Sequence, residues 1–140
     1  MATRYWVVVT SRDHALDGAK AGVVQVNHGK EGPLKRMSAG DKILFYAGKE
    51  IYGQKDLCQR FVALAVLADD NIFQYEVSAN FKPYRRKAEY LEGNEAEIRP
   101  LINRLEFIEN KEKWGYIFRT GLFEIHKHDF DLIESQMHDK

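Results

Sequence analysis

The apolar positions of the chain fall into short runs separated by polar turns, which favours short strands over long helices. Tyr5–Thr10 (YWVVVT) is apolar on both alternating faces and rich in β-branched residues, which is typical of a strand buried on both sides. Similar runs predict strands at residues 42–46 and 60–67. Residues 69–71 predict a turn into a further strand at residues 72–77.

Helix signals in the first third are short. Ser11 follows the first strand at a natural N-cap position, and residues 12–19 predict a helix that Gly18 weakens. The capping role is compatible with a second one, because a helix N-terminus also exposes a hydroxyl and free backbone N–H groups at a pocket rim. Pro33 suits the first turn of a one-turn helix through residues 34–37.

The last third mixes both kinds of signal. Pro100 and the helical spacing of the apolar residues predict a helix at residues 98–108. The same spacing predicts a closing helix at residues 129–137. Between them, residues 114–119 and 122–125 indicate two strands or one bent strand.

These elements predict one α+β domain over residues 1–140. Residues 86–91 add an edge strand, since Pro83 argues against a central strand at its start. The tally is about six short strands, and the lack of long alternating helices disfavours a doubly wound parallel sheet. We therefore expect a small mixed β-barrel of about six strands flanked by short helices.

Charge and composition restrict the possible partners. The 21 basic and 21 acidic residues cancel, so the chain is a poor candidate for coating long DNA. Residues 82–87 (KPYRRK) are locally basic, so any nucleic-acid surface is expected to be local. No apolar run approaches the ~20 residues that span a bilayer, and a single cysteine, Cys58, cannot form an intrachain disulfide. A soluble, cytoplasmic protein is expected.

The most suggestive segment for function is the N-H-G-K sequence of residues 27–30, which lies between two apolar runs. Asparagine offers donors and an acceptor, histidine one of each, and lysine three donors and a charge. Gly29 allows close approach of backbone or ligand. Such a set could contact the edge of a nucleobase or a phosphate, but on composition alone an ordinary polar turn is favoured.

Other candidate chemistry is weak. His126 and His128 have no cysteine nearby and no third histidine at a supporting spacing, and His128 or Asp129 is better explained as a cap of the last helix, so we assign no metal. Cys58 has no recognisable partner for nucleophilic catalysis, which favours a semi-buried structural role. Glycine-rich phosphate loops are absent from the sequence, so mononucleotide binding through such a loop is unsupported and we expect no cofactor. The carboxylates are scattered with no pair placed for acid–base chemistry, and since no catalytic motif is recognised we expect a protein that is not an enzyme.

Several segments resemble, in order, the EVE domain family. They are YWVVVTSRDH, GVVQVNHGKEGPLKRMSAGDKILFY, FVALAVL, FKPYRRKAEY, WGYIFRTGLFEI and HDFDLIESQM. EVE domains are similar to PUA, ASCH and YTH domains, which share a small β-barrel flanked by helices. The resemblance implies a PUA-like fold and a non-enzymatic reader that takes a modified base of DNA or RNA, flipped out of its stack, into an aromatic and polar pocket.

The resemblance also suggests site residues. The positions carried over as pocket residues are Trp6, Ser11, Asn27, His28, Lys30, Trp114 and Arg119. From the residues themselves we add Tyr46 as a stacking face, with Arg85 and Arg86 as contacts to the nucleic-acid backbone.

Two alternatives stay open. One is an ASCH-like RNA-processing hydrolase with Lys30 as base or electrostatic stabiliser, and the other is a small-molecule or nucleoside sensor using the same pocket. The sequence leaves open which base is bound, whether the partner is DNA or RNA, and the oligomeric state.

Overall fold

The computed structural model describes residues 2–138. In this part of the chain the elements are β1 (Tyr5–Thr10), α1 (Arg12–Ala21), β2 (Val23–Val24), α2 (Glu31–Leu34), β3 (Lys42–Lys49), β4 (Leu57–Gln74), β5 (Tyr84–Leu91), β6 (Ala96–Glu97), β7 (Leu122–Ile125) and α3 (Lys127–His138), with 3-10 helices at Arg99–Leu101 and Tyr116–Thr120. The first predicted strand and the closing helix are confirmed.

The strands form one mixed sheet in the order β2-β5-β4-β3-β1-β7, and β6 pairs with β4. β1 and β3 are parallel, and the other pairs are antiparallel. Closing a sheet into a barrel requires its two end strands to pair, but no pairing joins β2 and β7 within residues 2–138. The mixed α+β class is confirmed, whereas the sheet is open.

The long strand β4 replaces two predicted strands and the turn between them. Its pairing with β5 shifts register between Leu67 and Ile72, at the acidic segment where we predicted a turn. Extra residues in one strand bend it without ending it. β5 begins at Tyr84 and lies between β4 and the two-residue β2, so it is an edge strand only beyond that short pairing.

The prediction of a helix at residues 98–108 is wrong. Only the 3-10 helix Arg99–Leu101 forms, followed by turns. The carboxylate of Asp129 accepts hydrogen bonds from the backbone N–H groups of Glu106 (3.0 Å) and Phe107 (2.8 Å). Because these groups bind a distant side chain, they do not extend an α-helix.

Two other predicted elements also differ. The strand predicted at residues 114–119 is largely a 3-10 helix, Tyr116–Thr120. The one-turn helix near Pro33 begins earlier, at Glu31, and ends at Leu34. No helix among residues 2–138 combines the length and apolar character needed to cross a bilayer.

The sheet has a core on each face, and alternate residues of β1 supply both. Trp6 and Val8 join the core under α1 and α2, whereas Val7 joins the core under α3. The parallel strands β1 and β3 end at the same edge of the sheet, beside α1. A cavity opens at that edge.

Candidate functional site

The cavity has a volume of about 920 Å³ and lies between α1, the ends of β1 and β3, and the start of β5. Its walls combine aromatic, small and polar side chains. The principal lining residues are Thr10, Ser11, His14, Asp17, Gln25, Asn27, His28, Phe45, Lys49, Tyr52, Val77, Phe81, Arg85 and Tyr90. Cavities of this size are typical of small-molecule sites.

One wall is a tight turn in which three successive residues are left-handed. The φ angles are 48° at Asn27, 62° at His28 and 88° at Gly29. The carbonyl of Val26 accepts hydrogen bonds from the N–H groups of Gly29 (2.9 Å) and Lys30 (3.1 Å). Non-glycine residues rarely occupy this region and are enriched at functional sites. The N-H-G segment is therefore a fixed turn.

This turn is held from both sides. The carbonyl of Gly29 accepts a hydrogen bond from the N–H of Tyr84 (2.8 Å), and a Cβ at position 29 would lie 2.2 Å from the Cβ of Pro83. A Cβ at position 121 would lie 2.0 Å from Oδ1 of Asn27, so Gly121 leaves the space that this amide occupies. The amide of Asn27 makes no hydrogen bond to another group within residues 2–138.

The rim beside this turn carries an aromatic side chain that sequence reasoning missed. Tyr52 is 56% exposed. Its ring stacks on His14 at 5.0 Å between centroids, and His28 meets it edge-on at 5.6 Å. The only sequence signal was a polar, glycine-containing loop after β3, which does not single out Tyr52.

Asp13 fixes the Tyr52 loop to the start of α1. Its Oδ1 accepts hydrogen bonds from Ser11 Oγ (2.5 Å) and from the N–H groups of His14 (2.9 Å) and Tyr52 (3.1 Å). Partial burial alone would raise the pKa of Asp13, but these hydrogen bonds hold it below its ordinary value. Ser11 occupies the N-cap position, although its hydroxyl donates to Asp13 and makes no side-chain capping bond.

The cavity floor is aromatic. Phe45 and Tyr90 stack at 5.4 Å, and the Tyr90 hydroxyl donates to the carbonyl of Val23 at 2.7 Å. Burial raises the pKa of Tyr90, so its phenol stays protonated. A Cβ at position 18 would lie 3.1 Å from both the Tyr90 hydroxyl and the Val23 carbonyl. Gly18, which weakens the helix locally, therefore leaves room for the floor.

The cavity lining also contains Arg85. Its Nε donates to Oε1 of Gln25 at 3.0 Å, and its guanidinium lies 4.5 Å from the ring centroid of Tyr75. Of the predicted site residues, the structure brings Ser11, Asn27, His28 and Arg85 to this cavity.

The structure corrects the prediction that Trp6 and Tyr46 line the pocket. Trp6 is fully buried, and its indole N–H donates to Oδ2 of Asp41 at 3.0 Å. Tyr46 is buried in the core on the other face, with its ring 3.9 Å from that of Phe118. Both rings are covered by the protein, so neither offers a face to a ligand.

The structure also corrects the prediction that Arg86 contacts the nucleic-acid backbone. Successive side chains of a strand point to opposite faces, so the adjacent arginines of β5 separate and Arg86 turns inward. Its Nη1 donates to the carbonyls of Leu34 (2.8 Å) and Met37 (2.6 Å), and its Nη2 donates to that of Asp69 (2.6 Å). It holds α2 and β4 together and is buried away from solvent.

The remaining predicted residues lie outside the cavity walls. Lys30 is exposed at the N-cap position of α2 and does not line the cavity, which removes the geometric basis of the hydrolase alternative. Trp114 and Arg119 line a separate depression of about 540 Å³ together with Tyr116. The guanidinium of Arg119 lies 5.1 Å from the Tyr116 ring.

The other candidate groups have structural partners. Oδ1 of Asp129 lies 2.8 Å from Nδ1 of His128, within hydrogen-bond distance. The same carboxylate accepts the backbone hydrogen bonds of Glu106 and Phe107. Glu106 lies near both residues: one potential metal-ligand atom from each of Glu106, His128 and Asp129 lies within 4.8 Å of the others. Cys58 is buried, and desolvation raises the pKa of its thiol, the reverse of what an activated nucleophile needs.

The sequence of this chain matches a known family. The EVE domain profile matches residues 4–136, and the chain belongs to the EVE domain family. The chain is 42% identical over 134 residues to a UPF0310 protein of Mycobacterium avium, which covers 96% of this chain and 97% of the relative. It is 36% identical over 137 residues to the UPF0310 protein YdcG of Bacillus subtilis, covering 98% and 94% of the two chains.

Solved structures share the fold at low sequence identity. The YTH domain of Zygosaccharomyces rouxii MRB1 protein, solved in complex with N6-methyladenosine RNA, superposes with a TM-score of 0.64 at 14% identity, covering 98% of this chain and 88% of that domain. The N-terminal domain of Staphylothermus marinus McrB gives a TM-score of 0.55 at 15% identity, covering 97% and 98% of the two chains. At these identities the likeness establishes the fold.

Proposed function

We propose that this protein binds nucleic acid and holds one modified base, flipped out of its stack, in the cavity beside α1. The observation that carries the proposal is the amide of Asn27, fixed in the cavity wall without a hydrogen-bond partner among residues 2–138. An asparagine amide can pair with the edge of a base through one donor and one acceptor.

The surroundings suit a flat aromatic ligand. Tyr52 and the stacked pair Phe45 and Tyr90 line the same cavity. Base stacking on an aromatic side chain contributes about 1–3 kcal/mol per base, which can offset the few kcal/mol needed to unstack a nucleotide. The YTH domain that shares the fold was solved with N6-methyladenosine RNA, which supports a modified base as the ligand.

Local cations provide contacts to the phosphates next to the base. Lys49 and Arg85 line the cavity, and Arg119 lies two residues before Gly121, which adjoins Asn27. The chain as a whole is neutral. Because non-specific affinity depends on neutralised phosphates, binding should depend on the base more than in strongly basic readers.

The test is a titration with matched oligonucleotides that carry or lack one modification, across a panel of modified cytosines and adenines. We expect tighter binding of at least one modified oligonucleotide. Asn27→Ala should weaken that binding by about 1–3 kcal/mol, the scale of one buried polar contact. The matched control is Asn103→Ala, at an exposed position outside the cavity walls. Equal affinity for every modified and unmodified pair would contradict the proposal.

The cavity volume favours one second candidate, a sensor of a free nucleoside-like molecule. About 920 Å³ is more than one nucleobase fills, which leaves room for the attached sugar. Binding of a free modified nucleoside as tightly as of the oligonucleotide containing it would support the sensor. Much tighter binding of the oligonucleotide would support the nucleic-acid reader.

A further inference from the structure

A β-hairpin at residues 74–84 extends beyond the body of the sheet. Every residue from 74 to 82 is exposed. Three of its large apolar side chains are solvent-accessible, with Tyr75 50%, Val77 51% and Phe81 40% exposed. Isolated exposed apolar residues are common, but a cluster on one projecting element marks an interaction surface.

The hairpin is ordered by its own hydrogen bonds. Ser78 and Phe81 exchange both backbone hydrogen bonds, at 3.1 and 3.2 Å, across a two-residue turn. Nearer the sheet, the N–H of Tyr75 donates to the carbonyl of Pro83 at 2.9 Å, and the side chain of Gln74 donates to the carbonyl of Lys82 at 2.9 Å. A preorganised element loses little conformational entropy on binding.

The apolar side chains of this hairpin are also part of the cavity mouth. Val77 and Phe81 line the cavity and are exposed to solvent. Lys82 follows Phe81, and Arg85 is fixed at the same rim by Gln25. The surface therefore combines an exposed aromatic ring with cations, which matches a base stack flanked by phosphates.

We propose that this hairpin enters a nucleic-acid duplex and that the ring of Phe81 fills the gap left by the flipped base. This inference rests on the proposed function. A nucleotide held in the cavity stays covalently joined to its neighbours, so the flanking base pairs must lie at the cavity mouth, where Phe81 and Val77 stand. Apolar side chains placed between base steps are an established way to stabilise an opened stack. Phe81 thus contributes more to extraction from a duplex than to holding a base that is already unpaired.

The test compares three forms of whichever modified ligand binds the wild-type protein: the free nucleoside, the single strand and the duplex with one modification. Phe81→Ala should weaken duplex binding by about tenfold, the effect of losing one stacking contact. The same variant should lose clearly less affinity for the nucleoside and the single strand, because Phe81 borders the cavity in all three complexes but meets flanking base pairs only in the duplex. The matched control is Leu91→Ala, equally exposed at 40% but at the far end of β5 and outside the cavity lining.

A mismatch opposite the modified base gives a second readout. Mispairing lowers the cost of flipping, so the effect of Phe81→Ala should shrink in a mismatched duplex. Unchanged duplex binding by Phe81→Ala, or an equal loss for the duplex and the single strand, would overturn the inference. Loss of a wild-type self-association on making Phe81→Ala would assign the hairpin to a dimer contact and would also overturn it. If the wild-type protein binds none of the three modified forms, the proposed function itself fails, which is a distinct result.

Discussion

Replacing Gly29 by alanine should destabilise the fold by about 2–5 kcal/mol, because two independent costs add. Gly29 has a φ of 88°, and a left-handed conformation costs a residue with a Cβ about 1–2 kcal/mol. The new methyl group would also lie 2.2 Å from the Cβ and 2.6 Å from the Cα of Pro83. Overpacking of this kind costs about 1–3 kcal/mol.

Two other glycines separate these costs. Gly53 has a φ of 81° but no heavy atom within 4 Å of an added Cβ, so Gly53→Ala should lose only the conformational part, about 1–2 kcal/mol. Gly115 has an ordinary φ of −78° and open space around an added Cβ, so Gly115→Ala should be neutral or stabilise by up to about 1 kcal/mol.

The assay is urea-induced unfolding followed by tryptophan fluorescence, since Trp6 is fully buried and reports the loss of the core. The three variants should rank in stability as Gly115→Ala, then Gly53→Ala, then Gly29→Ala. If Gly29→Ala is no less stable than Gly53→Ala, the turn at residues 27–29 does not pack against Pro83. That result would refute the fixed geometry of the cavity wall that carries Asn27.

Three further predictions follow from contacts around the site. Gly121→Ala should lose about 1–2 kcal/mol of stability because its φ is 80°, and it should also weaken modified-base binding because its Cβ would lie 2.0 Å from Oδ1 of Asn27 and displace that amide; urea unfolding and parallel titration measure the two effects. The lowered pKa of Asp13 stabilises the fold above its unfolded value of about 3.9, so wild type should lose more stability than Asp13→Asn as pH falls through the folded pKa. The pKa of His128 is raised by its hydrogen bond to Asp129 and by nearby Glu106, so its stabilisation is complete below about pH 6.5 and disappears as pH rises through the folded pKa. Unfolding of His128→Ala across this range should show a flatter pH dependence than wild type.

The sequence predicts those strands and helices whose apolar periodicity lies within the element itself. β1 and α3 have strong periodicity, and their side chains are buried as their spacing predicts. Residues 98–108 have equally regular spacing, yet the carboxylate of Asp129 binds backbone N–H groups that an α-helix would use. A partner more than 20 residues away along the chain leaves no trace in a local pattern.

The same distinction between local patterns and distant partners explains why only part of the candidate site could be predicted. Asn27 and His28 lie in a compact polar motif that a sequence displays directly. Trp6 was carried over from the family resemblance, but the structure buries it in the core, where its indole N–H donates to the distant Asp41. Tyr52 was missed because its place at the rim depends on residues far along the chain, such as Asp13, 39 residues away, which accepts a hydrogen bond from the Tyr52 N–H.

The most direct test of the cavity as the binding site is an NMR titration with the best-bound modified oligonucleotide, following side-chain resonances in separate parts of the fold. The Asn27 amide and the Tyr52 ring should shift in proportion to occupancy, while the buried indole of Trp6 stays unchanged. Shifts confined to Trp114 and the depression around Tyr116, with Asn27 and Tyr52 unmoved, would contradict binding in the cavity.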